Sequence, residues 1–363
     1  MKKLSVALIY WQSDENSTLS YQHGWPNAMQ QSTLFEVVHF NLHKMSWLDR
    51  FDFARRLQKA KVQAIILLHS TFSNQQNLRG LVLWVVSRSS VPKAYFIGNE
   101  YKHMPEKLLF AKKLGISLLL TQSNDNRVLS SYREALGCAV NFMPNTGIDT
   151  KIFYSQNCFS KRSIDIGYRA YESSWYLGND EKKEIADYFK AYAIKQGLIV
   201  DISLDPKDRF DAKNYANFLN NCRGQIGTEA GGDYFELTDI TRNKVNHYLS
   251  HNKQASWTDV KLAFFDHYGP AIPMRIISGR QVEAAACMTV QILFDGKYGG
   301  FFQPDNHYIS LNKNFSNINE VMLKFNDVDY CSRITANAYD VIMGEFTYET
   351  LAKKFHVLIN SVI

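Results

Sequence analysis

Long apolar runs, patterned cysteines and nucleotide fingerprints are what this 363-residue sequence lacks. No stretch of eighteen or more apolar residues is present, which argues against a membrane-spanning helix. The opening MKKLSVALIYWQSDEN has too short an apolar stretch for a leader and no small-residue cleavage site, so it reads as a first buried strand. The five cysteines (Cys138, Cys158, Cys222, Cys287, Cys331) are odd in number, scattered and without CxxC spacing. That argues against a disulfide framework or a zinc site and favours a reducing compartment, the cytoplasm. No GxSxG, P-loop or GxGxxG motif points to a hydrolase, a kinase or a dinucleotide enzyme. Basic blocks interleaved with aromatics are missing too, which ranks nucleic acid low as a partner. The formal charge of +6 is mild, compatible with an anionic ligand or an acidic membrane surface.

What is present is an ordinary globular composition, 45% hydrophobic and 21% charged, in a chain long enough for two domains. Short apolar runs alternate with helical patterns: LSVALIYW, FEVVHFNL, a helix around Leu48 to Lys61, VQAIILLHS, KAYFIG, ISLLLT and AVNFMPN. Such alternation predicts β-α-β units and a parallel sheet. The polar segment YSQNCFSKRS serves as linker, after which SIDIGYRA opens a second series: a helix from Asp180 to Gln196, LIVDISL, a helix from Tyr215 to Cys222, the turn GTEAGGD and a helix-strand pair. A polar helical insertion occupies residues 238 to 273. The expected fold class is α/β, two Rossmann-like domains facing a cleft. The first spans residues 1–155 and the second 160–340, with a C-terminal helix at 341–363 that, as in similar two-domain proteins, would cross back to the first.

The helix-strand pair, ISGRQVEAAACMTVQILF, puts Glu283 in a small-residue helix with Arg275 and Arg280 close upstream. A helix start offers unpaired N–H groups and partial positive charge to a phosphate, and a nearby carboxylate accepts bonds from ribose hydroxyls. The bland alternative is a carboxylate complementing the helix dipole beside solvated arginines.

The segment RQVEAAACMTVQILF resembles the EAmAcGtPvi helix-strand of glycosyltransferases with the GT-B fold, FMPNTGIDTKIF resembles the end of their N-terminal domain, and IDIGYRA the strand and basic loop that open their C-terminal domain. GTEAGGDYFELT and GKYGGFFQPDNHYISLNKNFSN are similar to segments of the CgeB-like branch. The resemblance implies transfer of a sugar from a nucleotide-sugar donor to a glycan, glycolipid or protein acceptor, in surface polysaccharide or glycoconjugate synthesis, in the cytoplasm or at the inner face of the membrane. It implies a metal-independent mechanism with no cofactor beyond the nucleotide-sugar co-substrate. Arg169, Gly231, Gly232, Arg275, Arg280 and Glu283 become the donor-binding candidates. The glutamate that many members carry eight positions before the ribose-binding one is Arg275 here, so Glu229 is taken as the replacement carboxylate. Met288 stands where the family has glycine.

An acceptor base is sought in loops of the first half, where His23, His69 and Glu100 follow strands or lie nearby; His69 and Glu100 are the catalytic candidates beside Glu229. Structural readings compete with each, namely a hydrogen-bonded core histidine and a salt-bridged carboxylate. The DxD at Asp327 and Asp329 falls at a turn between helices, and His247 and His251 lack a third ligand, so no metal site is assigned. A sugar-nucleotide epimerase or hydrolase, and a non-catalytic nucleotide-sugar-binding protein, are the alternative functions.

Overall fold

The computed structural model describes residues 3–13, 20–266 and 271–363, with side chains throughout except at 20–23. The side chain of His23 therefore lies outside the described residues. Contacts divide the chain into two units, Met1–Gly147 with Phe235–Ile240 and Tyr348–Ile363, and Ile148–Tyr234 with Thr241–Thr347.

The first unit alternates strand and helix: β1 (Leu4–Tyr10), α1 (Ser20–Gln31), β2 (Phe35–Asn41), α2 (Trp47–Ala60), β3 (Ala64–Leu67), α3 (Gly80–Arg88), β4 (Lys93–Phe96), α4 (Met104–Leu114), β5 (Leu118–Thr121), α5 (Asn126–Leu136) and β6 (Ala139–Phe142). All pairings are parallel, in the order β2-β1-β3-β4-β5-β6. Parallel strands covered on both faces read as continuous apolar runs, and AIIL of β3 and LLLT of β5 are buried at every position. The chain's last helix packs here. Its Tyr348, Leu351, Phe355 and Ile359 join Trp25, Phe35 and Phe96 in the core. Gly24 admits that packing, since a Cβ there would fall 1.6 Å from the Tyr348 hydroxyl. The excursion Phe235–Ile240 is anchored to α4, whose first N–H groups, on His103 and Met104, donate to the Asp239 carboxylate at 2.7 and 3.1 Å.

The second unit contains β7 (Ile164–Arg169), α6 (Glu181–Gln196), β8 (Val200–Ser203), α7 (Ala212–Asn221), β9 (Cys222–Gly227), β10 (Ala230–Gly232), α8 (Ile240–His251), α9 (Trp257–Phe264), β11 (Met274–Ile276), α10 (Gly279–Ala286), β12 (Val290–Phe294), β13 (Ile309–Leu311), α11 (Ile318–Asn326) and α12 (Val328–Glu345), ahead of α13 (Tyr348–Asn360). Ile240 itself falls in the first unit. The parallel sheet runs β13-β12-β9-β7-β8, with β10 and β11 forming a separate antiparallel pair. The buried guanidinium of Arg162 ties the sheet entry to two helix ends, donating to Cys222 O, Leu219 O, Cys287 O and Thr289 Oγ1. A cation among helix-terminal carbonyls satisfies acceptors that would otherwise be orphaned.

α10 ends in a reciprocal cap. Thr289 N donates to Ala284 O and Met288 N to Ala285 O, both at 3.0 Å, with Met288 in the left-handed region at φ 50. This is the position at which glycine is favoured, because a Cβ is strained there, and it supplies a physical reason for the glycine of the resembling motif. Met288→Gly is expected to raise unfolding stability by about 1 kcal/mol, read from the urea midpoint at unchanged slope.

Candidate functional site

The site builds around two helix starts in the second unit. α6 begins at Glu181 after Asp180, and α10 begins at Gly279 after Ser278, whose backbone N–H donates to Gln281 Oε1 at 3.0 Å. Each helix carries a cation at its second residue, Lys182 and Arg280. First turns of helices favour acidic side chains and disfavour cations. The first turn of α6 also carries Glu181 and Glu184, whereas that of α10 carries no acid, so Arg280 is a local conflict that a bound anion would resolve.

Lys182 is 4% exposed and forms no ion pair or hydrogen bond among the described residues. Its ammonium stands 4.5 Å from the centre of the Tyr171 ring, a cation–π contact. Burial, reinforced by the charges of Arg280 and Arg275, pushes the Lys182 amine down to about 7. The guanidinium of Arg280 likewise forms no ion pair or hydrogen bond among the described residues, and its backbone carbonyl accepts from Gln225 Nε2.

One turn further along α10, Glu283 is buried. Tyr215 of α7 lies within reach of its charge: burial first, then Glu283, raises the phenol well above its ordinary value, while Arg280 opposes. The Tyr215 hydroxyl is buried with no hydrogen-bond partner among the described residues. Such a group costs roughly 1–3 kcal/mol unless a ligand completes it. Sequence reasoning missed both Lys182 and Tyr215. Sequence position gives no signal for Lys182, since Lys183 beside it in the same first turn is exposed and paired with Asp187 at 2.8 Å.

Arg275 has a different task. Its Nη1 and Nη2 meet Glu181 at 2.8 and 2.9 Å and its Nε meets Asp233 at 2.6 Å. Burial pushes the Glu181 carboxyl up, but Arg275 and Lys313 outweigh it and hold it below the usual range. Gly231 and Gly232 make this possible by letting β10 lie against β11. A Cβ on Gly231, at φ +88, would fall 1.9 Å from Met274 O, so this glycine serves backbone approach to backbone. Glu229 accepts from the N–H of Tyr298 at 2.7 Å and anchors the turn after β12, and burial raises its carboxyl. Arg169, the last residue of β7, donates to Asp201 Oδ1 at 2.7 Å and Asp201 O at 2.9 Å, with its guanidinium over the Phe210 and Phe218 rings. The structure thus gathers Arg280 and Glu283 with Lys182 and Tyr215, sets Arg275, Glu229, Gly231 and Gly232 in a supporting ion-pair framework, and commits Arg169 to Asp201.

In the first unit, His69 and Glu100 are both buried. Burial, with the charge of Lys107 adding, takes the His69 imidazole down to about 4, which leaves it neutral at pH 7 and weak as a base. Glu100 accepts from Thr121 Oγ1 at 2.5 Å, Gln122 N at 2.9 Å and Tyr132 Oη at 2.8 Å; burial raises its carboxyl against these bonds. These contacts tie the end of β5 to α5. Asp327 caps α12 by accepting from Tyr330 N at 2.9 Å, which gives the DxD a structural task. Among the described residues one group has metal-compatible spacing, His103, Glu106 and Asp239, and its Asp239 is the cap of α4 noted above.

No protein-family model matches the chain, and no curated protein matches it in sequence. Solved structures do match. The chain is similar to a sucrose-phosphate synthase from Thermosynechococcus elongatus, at 11% identity and TM-score 0.56, over 99% of each chain. It is similar to a DNA-modifying β-glucosyltransferase at 10% identity and TM-score 0.58, over 98% of this chain and 100% of that one. The fold is that of the GT-B glycosyltransferases. A glycosyltransferase from Rickettsia africae matches at 10% identity and TM-score 0.51, over 100% of this chain and 99% of that one. Among the described residues, no helix is long and apolar enough to cross a membrane.

Proposed function

We propose that the chain is a glycosyltransferase that takes a sugar from a nucleotide-sugar donor, bound in the second unit, and passes it to a glycan, glycolipid or protein acceptor. The observation that carries this is the unmatched pair of cations, Lys182 and Arg280, at two helix starts beside the buried Glu283. Breaking the anomeric bond leaves negative charge on the departing diphosphate and positive charge on the sugar. Lys182, Arg280 and the N–H groups of the α6 and α10 starts stabilise that leaving group, worth far more in a buried site than in water. Glu283 accepts from the ribose hydroxyls, and the Tyr215 hydroxyl finds its missing partner in the nucleotide. On this reading the positive charge is supplied by the protein and no metal is required.

The fold supports the proposal, since the matched β-glucosyltransferase is described with uridine diphosphoglucose as its substrate. The remaining candidates take supporting places: Arg275 positions the α6 start through Glu181, and Glu229 the turn after β12.

The test is a panel of nucleotide-sugars by thermal shift on the wild type and on Glu283→Ala. A matching donor at about 100 times its dissociation constant adds about 2.7 kcal/mol to the wild type, a shift of several degrees. Glu283→Ala should show a shift near zero with the same donor. Equal stabilisation of both proteins removes Glu283 from the ribose role, and donor consumption without a sugar-bearing product removes transfer.

A further inference from the structure

The first unit has a solvent-facing surface that the donor site does not use. α2 buries Phe53 and Leu57 against the core, yet on its opposite side Trp47 is 69% and Phe51 67% exposed, with Leu48 exposed beside them. Trp47, Phe51, Arg55 and Lys59 recur every four residues, so they form one row along the helix. α3 packs next to α2 and repeats the arrangement. It buries Val82, Leu83 and Val86, and exposes Leu81, Trp84 (53%) and Arg88, whose guanidinium sits 4.6 Å from the centre of the Trp84 ring. In both rows the apolar residues lie toward the helix start and the cations toward its end.

Charge is concentrated in the same place. Residues 41–92 hold eight of the 41 Lys and Arg and only two of the 35 Asp and Glu, an excess of six, so this stretch carries the whole formal +6 and the rest of the chain is neutral. Its two acids, Asp49 and Asp52, are within salt-bridge distance of Arg56 and Arg55, and Arg50, Lys59, Lys61, Arg79 and Arg88 are exposed.

We propose that the α2–α3 surface docks on an anionic lipid bilayer, with Trp47, Leu48, Phe51, Leu81 and Trp84 entering the headgroup–acyl boundary and the flanking arginines and lysines lying among the headgroups. Exposed tryptophan and phenylalanine cost free energy in water and gain it at a bilayer interface, where an amphipathic ring meets both phases. Each cation near an anionic surface adds about 1 kcal/mol. An apolar protein partner would not need the charge, and a soluble anion would not need the aromatics. The inference goes beyond the donor-site reading and is measured without nucleotide, so either can fail alone.

The experiment is co-sedimentation of the full chain with vesicles of phosphatidylcholine alone or with about one third phosphatidylglycerol. Binding to the anionic vesicles is expected at about 0.1 M salt and should weaken at least about tenfold at about 0.5 M, where screening is stronger. Trp47→Ser with Phe51→Ser, and separately Trp84→Ser, should each weaken it about tenfold, and Arg55→Gln with Lys59→Gln should lower it on anionic vesicles only. Circular dichroism of each variant checks that these exposed substitutions leave the fold intact, and the wild-type salt dependence needs no variant. Failure to bind the anionic vesicles, or equal binding to neutral ones, overturns the proposal. So does self-association in sedimentation velocity that the same substitutions abolish, because the surface is then an interface between copies.

Discussion

Replacing Lys182 with methionine is expected to weaken donor binding by about 100-fold while making the unliganded protein more stable at pH 6. The affinity loss follows from removing a charge-assisted contact in a desolvated place, about 2.7 kcal/mol or more. The stability gain follows from linkage. The folded pKa is about 7 and the ordinary value 10.5, so between them the unfolded chain holds a proton that the folded chain has released. Stability therefore rises with pH across that window, and the penalty of burying the ammonium is fully present below about 7. Methionine carries no such penalty. Its advantage in a urea titration should be largest at pH 6 and shrink toward pH 10. In the wild type, donor affinity should fall from pH 7 to pH 9 as the amine deprotonates, a trend the variant lacks. A variant that binds donor as tightly as the wild type, or is less stable at pH 6, contradicts this role.

Arg275→Met should be costly in the other way. The guanidinium bridges Glu181 and Asp233 while about nine-tenths hidden, so its removal leaves two acids beside each other, with Lys313 still on Glu181 at 2.7 Å. Breaking one side of a buried ion pair costs about 3–5 kcal/mol. The urea midpoint should fall accordingly, and adding Glu181→Gln to Arg275→Met should restore part of the loss, since the orphaned charge is then gone. Were Arg275 instead a contact to the donor diphosphate, the variant would keep its stability and lose only affinity. The two measurements therefore separate a framework residue from a binding residue.

Much of the architecture was readable because short apolar runs are nearly unbroken where strands are covered on both faces. LSVALIYW, FEVVHFNL and ISLLLT each contain an observed strand, and SIDIGYRA contains β7. The central strand β9, CRGQIG, was not readable. Glycine and glutamine replace the usual branched residues there, for reasons of packing: a Cβ on Gly224 would fall 2.6 Å from Phe325, and Gln225 bonds Gln291 at 3.1 Å in the interior. Pattern reading leaves such a strand unassigned, between the helix that ends at Cys222 and the turn GTEAGGD. In the candidate cluster, Glu283 and Arg280 stand close together in sequence because they share the small-residue helix α10. Lys182 does not, because it comes from a helix about a hundred positions earlier and looks like any surface lysine until its burial is known. Arg275 shows the reverse. Its position in the motif suggested a ligand contact, whereas its partners Glu181 and Asp233 lie 94 and 42 residues away in sequence and only the fold brings them to it.

The decisive observation is where a diphosphate sits. A crystal structure of the full chain with a nucleoside diphosphate should place phosphate oxygens within about 4 Å of Lys182 Nζ and the Arg280 guanidinium, with a ribose hydroxyl on the Glu283 carboxylate. A nucleotide bound with its phosphates elsewhere, leaving Lys182 and Arg280 without an anion, would contradict it.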